Sequence, residues 1–178
     1  MRKQTIFTTD IYKEYNFLND KEIDHLINSV DELQLTDHNS FIGLAKSTYG
    51  NSKSYFLNDH KDLKDRIEKE LYKEGIQISN SWINVQGKDS KLNFHCHPDS
   101  VISGAIYLKV DEDSSKLVFQ NPKSQYYNLG EDISITPVKG MMLMWPSQLM
   151  HGSGVSINKS IERIVVSFNT FFKKETNA

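Results

Sequence analysis

From Ile76 onward the chain breaks into short runs rich in β-branched and aromatic residues, and this rhythm limits its fold more than any other feature. The runs are "IQISNSWINVQG", "VISGAIYLKV", "KLVFQN", "ISITPVKGMMLMWP" and "RIVVSFNTFF", separated by turn residues. Several strands at this spacing predict a sandwich or barrel. Upstream the pattern is helical. Asn19 or Asp20 offers an N-cap for "KEIDHLINSVDELQ", in which Ile23, Leu26, Ile27, Val30 and Leu33 form one buried stripe. Asn58 or Asp59 can cap a second helix, "HKDLKDRIEKELYKEG", with Leu63, Ile67 and Leu71 on one face and Gly75 placed to end it. A leading strand is expected within residues 4–18, and the polar stretch "LTDHNSFIGLAKSTYGNSKSYF" reads as loop with at most a short strand. The expected architecture is mainly β, with two N-terminal helices packed outside a jelly-roll barrel. Residues 1–178 form a single domain on this reading, with helical support over about 1–75 and the β core over about 76–173.

Composition bounds the class of function. At 178 residues, 38% hydrophobic and 25% charged, the chain has an ordinary globular composition and length enough for one core. The formal charge of −2 supplies no global attraction to nucleic acid or anionic membranes. The first residues alternate polar with apolar, unlike a secretory signal, and no run is apolar enough to cross a bilayer. Cys96 is the only cysteine, so no internal disulfide forms and the cytoplasm is the expected compartment.

The stretch "KLNFHCHPDS" carries the chemistry. On a strand, His95, His97 and Asp99 would share one face and Cys96 and Pro98 the other. Pro98 has no N–H to donate, so regular pairing should stop there, as at a barrel rim. Imidazole with carboxylate suits iron, manganese, zinc or copper better than magnesium or calcium. A further ligand must come from elsewhere, and His151, in "MWPSQLMHGSG", is the only histidine downstream. Two ligands close in sequence plus one distant histidine is the pattern of facial metal sites with open coordination positions. Zinc with three histidines and a water is compatible with the same residues. The other histidines have blander expectations: His25 at a helix surface or boundary, His38 and His60 solvated.

Arg163 opens the last β-run and shares a face with Val165 and Ser167. An arginine facing an apolar barrel interior is costly unless an anion meets it, and a guanidinium matches a carboxylate with two parallel hydrogen bonds. Pairing with Glu162 or Asp132 is the alternative. Tyr107, in the strand after the histidines, could add a hydrogen bond to the same anion or serve as packing.

Taken together and in this order, "SWINVQGKDSKLNFHCHPDS", "SGAIYLKV", "KLVFQNP", "PVKGMMLMWPSQLMHGSG" and "RIVVSFN" resemble the 2-oxoglutarate- and iron(II)-dependent oxygenase superfamily, in its small single-domain bacterial and phage branch. The resemblance runs from about Ser81 to Phe172. It implies a double-stranded β-helix, Fe(II) as metal, 2-oxoglutarate as cosubstrate and O2 as oxidant. His95 and His151 are implied as ligands, Arg163 as the grip on the far carboxylate of 2-oxoglutarate, and Tyr107 as its helper. Asn84 and Trp82 match a W-x-N signature, which puts Asn84 close to the site. Two departures stand out. A histidine, His97, occupies the place of the usual carboxylate, so the ligands are either His95, His97 and His151, or His97 and Asp99 with His95 behind them. The first is preferred, because Pro98 and the turn toward Ser100 leave Asp99's direction undetermined. Val165 stands where many members carry serine, and Ser167 is the candidate substitute. The implied activity is hydroxylation of an unidentified substrate (a peptide, an amino acid or a small metabolite, with a peptide or amino-acid side chain favoured) with release of succinate and CO2. The rivals are a three-histidine cupin-like metalloenzyme without 2-oxoglutarate and a non-catalytic jelly-roll binding module. Substrate contacts are expected from "LTDHNSFIGLAKSTYGNSKSYF" and "NPKSQYYNLGED".

Overall fold

A computed structural model describes residues 8–51, 54–71, 75–122 and 131–173. In chain order the elements are β1 (Tyr12–Glu14), α1 (Asp20–Asp31), β2 (Phe41–Ile42), β3 (Ala45–Ser47) and α2 (Lys61–Glu70). Then follow β4 (Ile76–Gly87), β5 (Lys91–Leu92), β6 (Ile102–Lys109), β7 (Leu117–Phe119), β8 (Ile133–Ile135), β9 (Met142–Pro146), β10 (His151–Gly152) and β11 (Glu162–Phe172). A six-stranded antiparallel sheet in the order β1-β9-β6-β11-β4-β3 faces a three-stranded one, β10-β7-β8, and β2 pairs with β5 beside them. This is a double-stranded β-helix with supporting helices.

The alternation of side chains along the long strands divides the interior into two layers. Ile106, Leu108, Ile164, Val166 and Phe168 face the helices, where they meet Ile23, Leu26, Val30, Leu63 and Ile67. Ala105, Tyr107 and Val165 face the small sheet, packing with Leu117, Phe119, Ile135, Leu143 and Trp145. The candidate site residues His95, His97, His151 and Arg163 line a cavity shared with Ala105, Tyr107, Trp145 and Val165 of this second layer.

α1 starts as its sequence predicts. Asn19 accepts from the Glu22 N–H at 3.1 Å, and the Glu22 carboxylate accepts from the Asn19 N–H at 2.8 Å, a complete capping box. α2 starts differently. Neither Asn58 nor Asp59 caps it, because the 3₁₀ turn Phe56–Asn58 takes up this stretch and the Asn58 side chain accepts from Lys64 instead. His60 holds the N-cap position without a side-chain cap bond. It is half-buried, its ring 4.5 Å from that of Phe56, rather than solvated. α2 ends at Glu70, before the expected position, and Gly75, at φ +87°, leads into β4. The leading strand is confined to β1 among the described residues, and the run "ISITPVKGMMLMWP" is two strands, broken before Gly140 at φ +77°. Most of the expected contact loop "NPKSQYYNLGED" lies outside the described residues.

Candidate metal and keto-acid site

The histidine stretch is not a regular strand. Between β5 and β6 the chain is pinned at two points: His95 and His151 exchange backbone hydrogen bonds (3.0 and 2.9 Å), and the His97 N–H donates to the Ser147 carbonyl at 2.8 Å. These pins bring the termini of distant runs together, so that one nitrogen from each of His95, His97 and His151 lies within 4.8 Å of the others. His151 is 3% exposed, with its ring 4.4 Å from that of His95. Gly152 makes the approach possible, since a Cβ there would sit 3.0 Å from the Leu92 and Asn93 backbone.

The hydrogen bonds fix which nitrogen is available. Nδ1 of His95 lies 2.9 Å from the Asn93 carbonyl, and Nδ1 of His151 lies 2.8 Å from the Leu149 carbonyl. A carbonyl only accepts, so Nδ1 carries the proton in both rings and Nε2 keeps its lone pair. Burial holds all three imidazoles neutral: it lowers the pKa of His95, that of His97 to about 4 and that of His151 to about 3, with neighbouring histidine charge adding to the last two. Neutral, oriented imidazoles are the form that binds a metal. Asp99 takes another course. It is exposed in the turn that follows Pro98, closed by the Ser100 N–H to the His97 carbonyl at 3.2 Å, and it is outside the histidine cluster. Cys96, half-buried, also lines the cavity rather than facing away, because regular alternation lapses here.

The cluster opens on a cavity of about 250 Å³. Arg163 lies in its wall, 6% exposed, with its Cζ 5.2 Å from the centre of the Tyr107 ring. Neither expected carboxylate meets it: Glu162 pairs with Lys109 at 2.6 Å, and Asp132 accepts from the Asn121 N–H. Its Nη1 donates to the Gln86 side-chain oxygen, and its buried Nε has no partner. Burial lowers the guanidinium pKa and raises that of the Tyr107 phenol, which the arginine's charge partly opposes. Val165, where serine is usual, packs in the apolar layer. Ser167 is one residue pair further along the same face and accepts from the Asn84 amide at 3.0 Å, while Ser47 donates to the Asn84 oxygen at 2.8 Å. Trp82 also lines the cavity.

Among the cavity residues that the sequence reading did not assign to the site, Gln86 and His38 bear on its chemistry. Gln86 shares the face of Trp82 and Asn84 at period two, a signal that was available, but its position opposite Arg163 depends on strand register. His38 is half-buried at the cavity, not solvated, with Nδ1 accepting from the Ser40 N–H at 3.1 Å and its ring 4.8 Å from Tyr49. Tyr49 in turn packs on Trp82 at 4.9 Å, giving the cavity one aromatic wall. A larger groove of about 590 Å³, lined in part by Tyr12, Leu71, Ile102 and Met144, includes none of the three histidines.

A double-stranded β-helix with three clustered imidazoles and a buried arginine in the same cavity fits the class of non-haem metal oxygenases. Residues 80–169 match a family model described as "Putative 2OG-Fe(II) oxygenase", and the chain belongs to this family of 2-oxoglutarate- and iron-dependent enzymes. No curated protein sequence matches it. Among solved structures it is similar to HygX from Streptomyces hygroscopicus, with nickel and 2-oxoglutarate bound (TM-score 0.72, 11% identity, covering 94% of this chain and 84% of that one). It is also similar to a 2OG-Fe(II) oxygenase-family oxidoreductase from Burkholderia pseudomallei (TM-score 0.67, 14% identity, 91% and 83% covered). A third is a Pseudomonas putida prolyl-4-hydroxylase (TM-score 0.61, 13% identity, 94% of both chains covered). At these identities the likeness establishes the fold. No helix among the described residues is long and apolar enough to cross a membrane.

Proposed function

We propose that the protein hydroxylates a side-chain-sized group, of a peptide or an amino acid, with His95, His97 and His151 holding Fe(II) and Arg163 holding the far carboxylate of 2-oxoglutarate. The observation that carries this reading is a buried arginine without a carboxylate partner among the described residues, in the same cavity as three neutral imidazoles. A buried cation is expensive unless an anion completes it, and a dicarboxylate held at the histidine cluster would offer its second carboxylate to the arginine. When bound, iron and 2-oxoglutarate together supply the oxidation: the keto acid and O2 become succinate and CO2 as one oxygen atom enters the substrate.

The chain's own residues bind, orient and shield. His95 and His151 present Nε2 because backbone carbonyls hold their Nδ1 protons. Tyr107 lies beside the guanidinium, where its phenolic O–H would donate to the same carboxylate. Asn84 and Ser167, bonded to each other in the cavity wall, would contact the cosubstrate from the sheet, with Ser167 in place of the serine absent at position 165. Phe119 and Trp145 flank His151, the latter at 4.9 Å, and exclude water from its side of the site. Asp99 is left as the alternative ligand, without support from its exposed position. The cavity, at about 250 Å³, is smaller than the ~300–1,000 Å³ that encloses a drug-sized ligand. Once the keto acid is seated, only a small part of a substrate enters, which supports a side chain of something larger. The single cysteine, Cys96, supports a cytoplasmic setting.

The test is direct. Purified protein reconstituted with Fe(II) and ascorbate should bind one metal per chain and release succinate from 2-oxoglutarate, faster when a substrate peptide is present. Metal binding without any affinity for 2-oxoglutarate would favour the three-histidine cupin-like alternative, and no metal binding the non-catalytic module.

A further inference from the structure

We propose that Gln86 is a positioning residue that makes the site select a keto acid bearing a second carboxylate: its neutral carboxamide fixes the Arg163 guanidinium without cancelling its charge. The inference rests on Arg163 holding the cosubstrate and goes beyond it by naming what keeps that arginine free to do so.

Gln86 and Arg163 are direct partners across β4 and β11, 1% and 6% exposed. Arg163 has only donors, so the group it meets must be the carboxamide oxygen. The other end agrees. The Gln86 nitrogen reaches Ser90 Oγ at 3.5 Å, and the Ser90 hydroxyl donates its proton to the Gly87 carbonyl at 2.7 Å, so toward Gln86 that oxygen can only accept. The amide is therefore oriented from both ends. Tyr107 bounds the guanidinium with its ring, and Nε stays unpartnered. The result is an aligned cation that retains its full charge. A glutamate at position 86 would reach the same atom with the same length and form an internal ion pair, which would compete with an incoming carboxylate.

The test compares Gln86→Glu and Gln86→Met in the full chain, loaded with Mn(II) under argon. Calorimetry gives the affinities for 2-oxoglutarate and for 2-oxopentanoate, which chelates alike but lacks the second carboxylate. Gln86→Glu should weaken 2-oxoglutarate on the order of 100-fold, as expected where a desolvated charge pair is disrupted. Gln86→Met should weaken it on the order of 10-fold, the scale of one lost hydrogen bond to a charged group. Both should leave 2-oxopentanoate and Mn(II) affinity within about 2-fold, since neither brings an anion to the guanidinium. If both variants keep the wild-type preference, or if both keto acids weaken equally, Gln86 has only a structural role and the inference is overturned. If the wild type itself does not prefer 2-oxoglutarate, the fault lies with the assignment of Arg163 instead. Should the glutamate variant fail to bind Mn(II), the methionine variant decides alone.

Discussion

Each imidazole of the cluster is held differently, and the differences set what its removal should do. His151 is buried, oriented through Nδ1 and packed against Trp145, so on the proposed ligand set His151→Ala removes the most rigidly held ligand. Iron affinity should fall by more than about 100-fold, beyond the ~10–100-fold typical of residues that only orient a ligand. Metal analysis after dialysis measures it. Asp99→Ala separates the two ligand sets. The carboxylate is exposed and outside the cluster, so this variant should retain iron while His97→Ala loses it. The reverse result would make Asp99 the ligand. Arg163→Ala should spare the metal but weaken 2-oxoglutarate by about 2–5 kcal/mol, the range for truncating one partner of a buried charge pair. Calorimetry with Mn(II) in place of iron reads both quantities on one sample.

At the level of elements, two glycines divide stability from site geometry. Gly104 faces Phe168 across β6 and β11, and a Cβ there would lie 2.1 Å from the ring. Gly104→Ala should cost about 1–3 kcal/mol, the usual penalty of overpacking, seen as a lower midpoint in urea. Gly152→Ala meets backbone rather than a ring, so β10 must move and carry His151 with it. That variant should lose metal affinity as well as stability, and equal metal binding in both variants would disprove the distinction. The same contrast explains what was legible in the sequence. β4 and β11 were readable almost to the residue because both are long, rich in β-branched and aromatic residues, and bounded by turn residues. His95 and His151 could be paired because few histidines were available, yet the alternation argument for His95–Asp99 did not hold: two backbone pins, not strand pleat, aim those rings. Gln86 and His38 stayed hidden for a related reason. Their meaning comes from register across the sheet and from a loop folded back over the cavity, neither of which is encoded in local pattern.

For the whole molecule, the site is a source of pH-dependent stability. Folding places His95, His97 and His151 where burial opposes their charged forms, the latter two reaching pKa values of about 4 and 3. In the unfolded chain each returns to about 6.5. Between those limits the unfolded state binds more protons than the folded one, so stability rises with pH and falls as acid is added. The metal-free protein should therefore show a thermal midpoint that is flat above about pH 7 and declines from about pH 6.5 toward pH 4, where the unfolded-state histidines are charged. The half-buried His38 and His60, also lowered by burial, add to the slope in the same sense. Replacing His97 by phenylalanine should shallow this decline relative to wild type, since one depressed group is gone. Metal binding follows from the same protonation states. Because the three rings are already neutral at pH 7, loading Mn(II) should release almost no protons there and an increasing number below about pH 5. Calorimetry in buffers of different ionisation enthalpy counts those protons. A full proton or more released at pH 7 would mean that at least one ring is charged in the metal-free fold, and that burial does not prepare the cluster for its ion.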